Sequence, residues 1–450
     1  MTMPLLREAT APPYLGRSRW PVMALSRACE VRLGKMLQPQ PASEADRLTP
    51  FLKAVHVQWG GVASDALPLM YSSPEESAQY AVRQGDLLVC EGGDVGRAAI
   101  LGSEIPAGTI IQNSLHRVRP RSGFSSRYLL YVLAAIHSSG WFDVLCNRAT
   151  IAHLTGAKLA ALQIPAPPLP EQRAIAAFLD RETARIDELV AKKEQMVHLL
   201  GEQRSRVVDR AVTEGLNQEG RKWRQVGSRW RVPRNWSVRR LKLVVKEIMD
   251  TQHKTAPFYP DGEYLVVRTS NVRNGRLVLD DAKYTDVGGY LEWTNRGRPN
   301  AGDILFTREA PAGEACLVPK DIPLCLGQRM VLFRVDSHMM DSRYLLWAIY
   351  GGLADEFIRL LSHGSTVPHF NMSDIANIPI TIPPLSEQGR IAEYLAQRTA
   401  RVDAIAEQEQ AVVRVLQERR QALITAAVTG QIDIPPMQMA DGALAVVVVQ

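Results

Sequence analysis

The chain has 450 residues, 46% hydrophobic and 22% charged, and carries a formal net charge of +6. That length and apolar content can fill two full-sized cores and predict two or three domains, which argues against a disordered polypeptide. No run of about 18 apolar residues and no charged-then-apolar leader ending in small residues occurs, so neither a membrane span nor a secretory signal is expected and a cytoplasmic location is. The five cysteines, Cys29, Cys90, Cys146, Cys316 and Cys325, are widely spaced, odd in number and never in a Cys-x-x-Cys. They predict reduced core thiols, with no disulfide framework and no zinc site.

In chain order, the first recognisable elements are an apolar start at Trp20, Val22 and Leu25 and a strand at Gly85-Asp86-Leu87-Leu88. The cluster Gly92-Gly93-Asp94-Val95-Gly96 lacks a phosphate-binding lysine and predicts a turn. The segment Arg127-Tyr128-Leu129-Leu130 precedes Pro167-Pro168-Leu169-Pro170-Glu171-Gln172, whose prolines hold the chain extended. Glu171 then falls in the first turn of a helix, where the dipole favours an acid, and no proline follows before Thr213. About 43 residues of helix would span roughly 64 Å.

The same series then returns 216 residues later. Pro168, Leu169, Glu171, Gln172, Ile175, Ala176 and Leu179 recur as Pro384, Leu385, Glu387, Gln388, Ile391, Ala392 and Leu395. Of the 50 positions from 164 to 213, 20 are identical to their copies. Arg127-Tyr128-Leu129-Leu130 returns as Arg343-Tyr344-Leu345-Leu346, and Trp20, Val22 and Leu25 as Trp236, Val238 and Leu241. Single-residue shifts give an offset of 217 at Gly302-Asp303-Ile304-Leu305 and of 215 for Val57 with Val272. Solenoid repeats have periods of about 20 to 50 residues, so this is a duplicated domain.

Apolar residues at Ile175, Leu179, Ile186, Leu189, Met196, Leu200, Val207 and Ala211, with copies at Ile391, Leu395, Val402, Ile405, Val412, Leu416, Leu423 and Ala427, alternate four and three apart. Such spacing predicts a coiled-coil seam. Polar seam residues Glu182 and Lys193, with the reversed charges Arg398 and Glu409 in the copy, suit a parallel in-register pair. An antiparallel pair centred between them would instead oppose Glu182 to Glu409, and the sequence leaves the register open.

Between the copies, Arg221, Lys222, Arg224, Arg229, Arg231, Arg234, Arg239, Arg240, Lys242 and Lys246 interleave with Trp223, Trp230 and Trp236. The stretch suits a phosphate backbone and equally a solvated linker leading into a strand. Motifs for catalysis are missing: no Gly-x-x-x-x-Gly-Lys-Ser/Thr, no Gly-x-Gly-x-x-Gly after a strand, no His-Glu-x-x-His and no Asn-Pro-Pro-Tyr/Phe.

The turns Pro168-Leu169-Pro170-Glu171-Gln172 and Pro384-Leu385-Ser386-Glu387-Gln388, the Trp20 and Val232-Pro233-Arg234-Asn235-Trp236 segments, and Gly302-Asp303-Ile304-Leu305-Phe306 resemble the specificity (S, HsdS) subunit of type I restriction-modification systems. Gly327-Gln328-Arg329-Met330 and Ile111-Gln112-Asn113 resemble it as well. The resemblance covers nearly the whole chain. It implies an α+β fold with two duplicated mixed α/β target recognition domains, each followed by a long helix, the two helices pairing as an antiparallel coiled coil. The expected divisions are recognition domain 1 at 1–166, central helix at 167–215, recognition domain 2 at 216–382, C-terminal helix at 383–432 and a tail at 433–450.

The resemblance further implies that each domain reads half of a bipartite duplex sequence while the helices set the spacer and dock methyltransferase (M) subunits, two of them expected, with endonuclease (R) subunits as further candidates. No cofactor is expected on this chain; S-adenosylmethionine and ATP/Mg belong to partner subunits, and the chain is expected to be non-catalytic. Base edges call for polar side chains on loops. Candidates at matched positions are Lys53 and His56 with Arg268 and Asn271, Glu91 with Arg308, Gln112 and Asn113 with Gln328 and Arg329, and Thr150 and His153 with Thr366 and His369. For each, a turn-forming or core-capping role competes, and His153 and His369 also fit satisfied core histidines. A stand-alone DNA methyltransferase or nuclease, and a non-DNA coiled-coil scaffold, are the alternative functions.

Overall fold

The computed structural model describes residues 15, 18–103, 105–146, 153–252, 254–362 and 369–434. Thr150 and Thr366 lie outside them. The chain forms two compact units, one from the residues up to 193 together with those from 411 onward, the other from 194–410. Each combines sheet and helix.

In the first unit a four-stranded antiparallel sheet has the order Cys29–Leu33, Leu115–Pro120, Leu87–Cys90, Ala98–Ile100. A three-stranded sheet pairs Leu69–Ser72 antiparallel and Ile110–Ile111 parallel with Arg47–Leu52. Strand Leu87–Cys90 is buried at all four positions because both faces are covered. Successive side chains of a strand point to opposite faces. Leu87 and Val89 therefore meet the helical core around Tyr128, Leu133 and Leu179, while Leu88 and Cys90 meet Leu52 and Ile111.

The second unit repeats this order with Val245–Asp250, Met330–Val335, Ile304–Thr307 and Ala315–Leu317, and with Lys283–Thr285, Tyr264–Val267 and Leu324–Leu326 in the smaller sheet. Ile304 and Phe306 face the helical core, and Leu305 faces the core shared with Leu265 and Leu326. The Gly-Asp pair that opens each central strand makes its turn: Gly85 and Gly302 have φ of 87° and 88°. Asp86 and Asp303 accept from the backbone N–H of Arg83 and Asn300, each at 2.9 Å.

The long helices run Leu169–Glu214 and Leu385–Thr429, 46 and 45 residues. Their ends are shared. Ile175 and Leu179 with Ile424, Ala427 and Val428 complete the first core. Val208, Ala211 and Val212 with Ile391, Ala392 and Leu395 complete the second. The expected seam is buried at these ends and again at Ile186, Leu200 and Val402, which lie outside both cores, while Leu189, Met196 and Ile405 are 41%, 45% and 43% exposed.

The glutamine of the repeated turn has a specific task. Gln172 Nε2 donates to the carbonyls of Pro167 at 2.9 Å and Gly123 at 3.2 Å while its Oε1 accepts from Ser125 N at 2.9 Å. Gln388 makes the same set with Pro383, Met339 and Asp341 at 3.0, 3.0 and 2.8 Å. Ser125 and Asp341 are N-caps of the helices Ser126–Ser138 and Ser342–Ile349. Each buried amide thus ties the start of a long helix to the start of a domain helix.

All five cysteines are free and buried. Burial pushes the Cys29, Cys316 and Cys325 thiols up to about 12. Among the described residues no helix is long and apolar enough to cross a membrane.

Candidate nucleic-acid interface

In each unit three strands end in adjoining loops that backbone hydrogen bonds lock together. In the first, Gln112 N donates to Leu52 O at 2.9 Å, Glu91 N to Ser114 O at 3.0 Å, and Leu154 N to Glu91 O at 2.8 Å. In the second, Gly327 N donates to Val267 O at 2.8 Å, Arg308 N to Arg329 O at 2.9 Å, and Phe370 N to Arg308 O at 3.0 Å. These bonds gather Lys53, His56, Glu91, Gln112, Asn113 and His153 at one rim, and Arg268, Asn271, Arg308, Gln328, Arg329 and His369 at the corresponding rim of the other unit. They also move one pairing by a residue. Gln112 corresponds to Gly327, Asn113 to Gln328 and Ser114 to Arg329, because the backbone partners rather than the shared offset define equivalence.

Within these rims the side chains differ in freedom. Lys53 is exposed. His56 Nδ1 accepts from Lys53 N at 3.1 Å, and burial followed by the Lys53 charge lowers its pKa. At the matching turn Asn271 is fully buried; its Oδ1 accepts from Arg268 N and its Nδ2 donates to Val278 O, both at 3.0 Å. Its side chain closes a turn and faces no solvent. Arg268 Nη2 donates to the Asp281 carboxylate at 3.0 Å, leaving the guanidinium partly exposed.

Arg308 is 6% exposed and commits its donors inward, Nε to Phe370 O at 3.0 Å and Nη1 to both Asp250 oxygens at 3.0 and 2.9 Å. Glu91, its counterpart, lies 3.6 Å from His153 Nδ1. His153 and His369 are half-exposed at the rim, each beside an acid, so the core-histidine alternative does not describe them. The core histidine is His116, which sequence reasoning passed over: fully buried, its Nε2 is 2.6 Å from Leu154 O, beneath the His153 loop. Ser114, also passed over, accepts from Ala54 N at 3.1 Å and donates to Gln112 Oε1 at 3.0 Å.

The arginine- and tryptophan-rich stretch is largely a hairpin, Trp223–Val226 with Trp230–Pro233. Arg231 stacks on Trp223 at 4.7 Å and Arg229 on Trp230 at 4.9 Å. Arg231 Nε also reaches Glu214 at 2.8 Å, and Arg221 pairs with Glu387. Trp236 Nε1 donates to Glu387 Oε2 at 3.1 Å. The aromatic interleaving thus serves local stacking against the helix ends. Arg239 and Arg240 are exposed on strand Ser237–Arg240 and have no ion-pair partner among the described residues.

Each unit contains an ion pair between the long helices. Arg420 Nε lies 2.8 Å from Asp187 Oδ1 in the first, and Arg204 Nε 2.9 Å from Asp403 Oδ1 in the second. Asp187 and Asp403 are copies of one another, as are Arg204 and Arg420. Among the described residues no group of three or more His, Cys, Asp or Glu could hold a metal ion.

Comparison with known proteins matches residues 18–198 and 233–414 to the model of the type I restriction modification DNA specificity domain. The type I restriction enzyme EcoBI specificity subunit of Escherichia coli is 23% identical over 80% of this chain and 77% of its own length. The MjaVIII specificity subunit of Methanocaldococcus jannaschii is 21% identical over 92% of this chain and 93% of its own. Among solved structures, a chain from a study of complex assembly and conformational transition of the type I R-M system superposes with a TM-score of 0.67 at 18% identity, covering 92% of this chain and 98% of that one. That likeness supports the two-domain fold.

Proposed function

The chain belongs to the type I restriction modification DNA specificity family, and on that premise we propose that it is the sequence-reading subunit of such a system, each unit binding one half of a bipartite duplex target. The observation that carries this reading is one loop scaffold used twice with different side chains. Equivalent backbone bonds hold Lys53, His56, Glu91 and Ser114 in one unit and Arg268, Asn271, Arg308 and Arg329 in the other. Base edges in the major groove are told apart by donors and acceptors, so unlike rims on like scaffolds suit two unlike half-sites.

In this reading the central and C-terminal helices pair as an antiparallel coiled coil. Supporting it, a step of 17 residues forward from Asp187 to Arg204 matches a step of 17 backward from Arg420 to Asp403. That register sets Glu182 opposite Thr425 instead of Glu409, which removes the like-charge conflict. The helices set the spacer and dock methyltransferase subunits. The chain itself is non-catalytic; S-adenosylmethionine and ATP/Mg act on partner subunits, in the cytoplasm.

The test is to map methylated positions in DNA from cells that express the chain with its methyltransferase partner. Exchanging residues 1–166 for another recognition domain changes one half of the methylated sequence and leaves the other. A change in both halves would refute separate reading, and a purified chain that methylates or cuts DNA unaided would show a stand-alone enzyme. Because a helix turn is 3.6 residues and about 5.4 Å, four residues inserted after Lys192 lengthen the spacer by about one or two base pairs of about 3.4 Å each.

A further inference from the structure

Arg329 occupies a backbone conformation that a side chain normally avoids, with φ of 71°. Its counterpart Ser114 is not among the positive-φ residues. Strain of this kind persists only where surrounding contacts impose it, and it collects at ligand-binding positions. In this conformation the Arg329 carbonyl accepts from Arg308 N at 2.9 Å.

The side chain that this conformation presents is held from behind. Arg329 Nε lies 2.7 Å from Glu309 Oε1, and the other Glu309 oxygen lies 3.3 Å from His369 Nδ1. His369 Nε2 is in turn 3.4 Å from Arg308 Nη2, and Arg308 is fixed on Asp250. A chain of contacts thus runs from a buried ion pair to a half-exposed guanidinium. Glu309 pairs at Nε; Nη1 and Nη2 make no hydrogen bond among the described residues, and the side chain is 47% exposed.

Resting on the proposed function, we infer that Arg329 is the guanine-reading side chain of the second unit, with Glu309 and His369 as its positioning residues. Two coplanar terminal N–H donors match the O6 and N7 acceptors of guanine in the major groove, whereas adenine offers a donor in place of O6. The Glu309 carboxylate 2.7 Å from Nε restrains the fork and leaves its two terminal donors to the base. In the first unit Ser114 has its hydroxyl engaged with Ala54 and Gln112. The guanine contact at this position therefore belongs to one half-site only.

The test titrates the chain assembled with its methyltransferase subunit against duplexes in which each guanine of the half-site read by the second unit is replaced singly by 7-deazaguanine, which lacks the N7 acceptor. One replacement lowers wild-type affinity roughly tenfold or more, within the range of a bidentate contact, and the same replacement has no effect on Arg329→Ala. Glu309→Gln reduces discrimination at that one base pair while preference elsewhere stays unchanged, a pattern that simple loss of folding would not give. The inference is overturned if no 7-deaza replacement weakens the wild-type complex, or if Arg329→Ala keeps the same preference at every position. A uniform loss across specific and scrambled duplexes would make Arg329 a phosphate contact and overturn it too. Absence of any bipartite sequence preference in the wild-type complex would instead refute the proposed function itself.

Discussion

Arg308 Nη1 lies 3.0 and 2.9 Å from the two oxygens of Asp250, and this pairing places an arginine of the candidate rim inside the fold. Removing one partner of such a pair leaves the other poorly solvated, at a cost of about 3 to 5 kcal/mol when fully buried. Asp250 retains some exposure, so Arg308→Ala is expected to cost about 2 to 4 kcal/mol. Chemical denaturation checks this. A variant as stable as the parent, yet altered in base preference, would return Arg308 to the readers.

Gln388→Ala strips two carbonyls and one buried N–H of their partners at once. Each unsatisfied buried group costs about 1 to 3 kcal/mol, so a loss of about 2 to 4 kcal/mol is expected. Gln388→Glu should fare little better, because a carboxylate cannot donate to Pro383 and Met339. Comparing urea midpoints of the two variants with the parent tests the amide's role.

The two helix ion pairs should differ in strength although they are copies. Arg204 and Asp403 are 18% and 24% exposed, against 30% and 54% for Arg420 and Asp187. Solvent screens the second pair more, and its coupling should fall within about 0.2 to 1 kcal/mol. Double-mutant cycles with Asp187→Asn and Arg420→Gln, and with Arg204→Gln and Asp403→Asn, should give the larger coupling for the second set. Equal couplings would mean that exposure does not decide.

The basic residues between the copies should separate into two kinds. Arg239→Ala and Arg240→Ala should each weaken binding to all duplexes alike and lower the salt slope by about one unit, as loss of a phosphate contact does. Arg231→Ala should leave the salt slope unchanged and instead lower stability, since Arg231 is stacked on Trp223 and paired with Glu214. Titration at several salt concentrations distinguishes them.

The sequence by itself determined the duplication, the two long helices and the family resemblance. Those rest on local or repeated signals: a proline-bounded turn, a four-three apolar spacing broken at only a few polar positions, and identical residues at a nearly constant offset. It also proposed candidate rim residues, since polar residues at matched positions of the two copies are legible without a structure. It could not tell which rim side chains face outward. Asn271 and Arg308 look as polar as Arg329, and only the packing of Val278, Phe370 and Asp250 around the first two draws them inward. The pairing of Ser114 with Arg329 also needed the sheet, because where each single-residue shift ends is settled only by the backbone partners. The division of each long helix between two cores is likewise a tertiary fact. Periodicity marks the stripe but not how tightly each position is covered, so Leu179 and Leu395 are sealed in the cores while Leu189 and Ile405, in the same periodic series, stay 41% and 43% exposed.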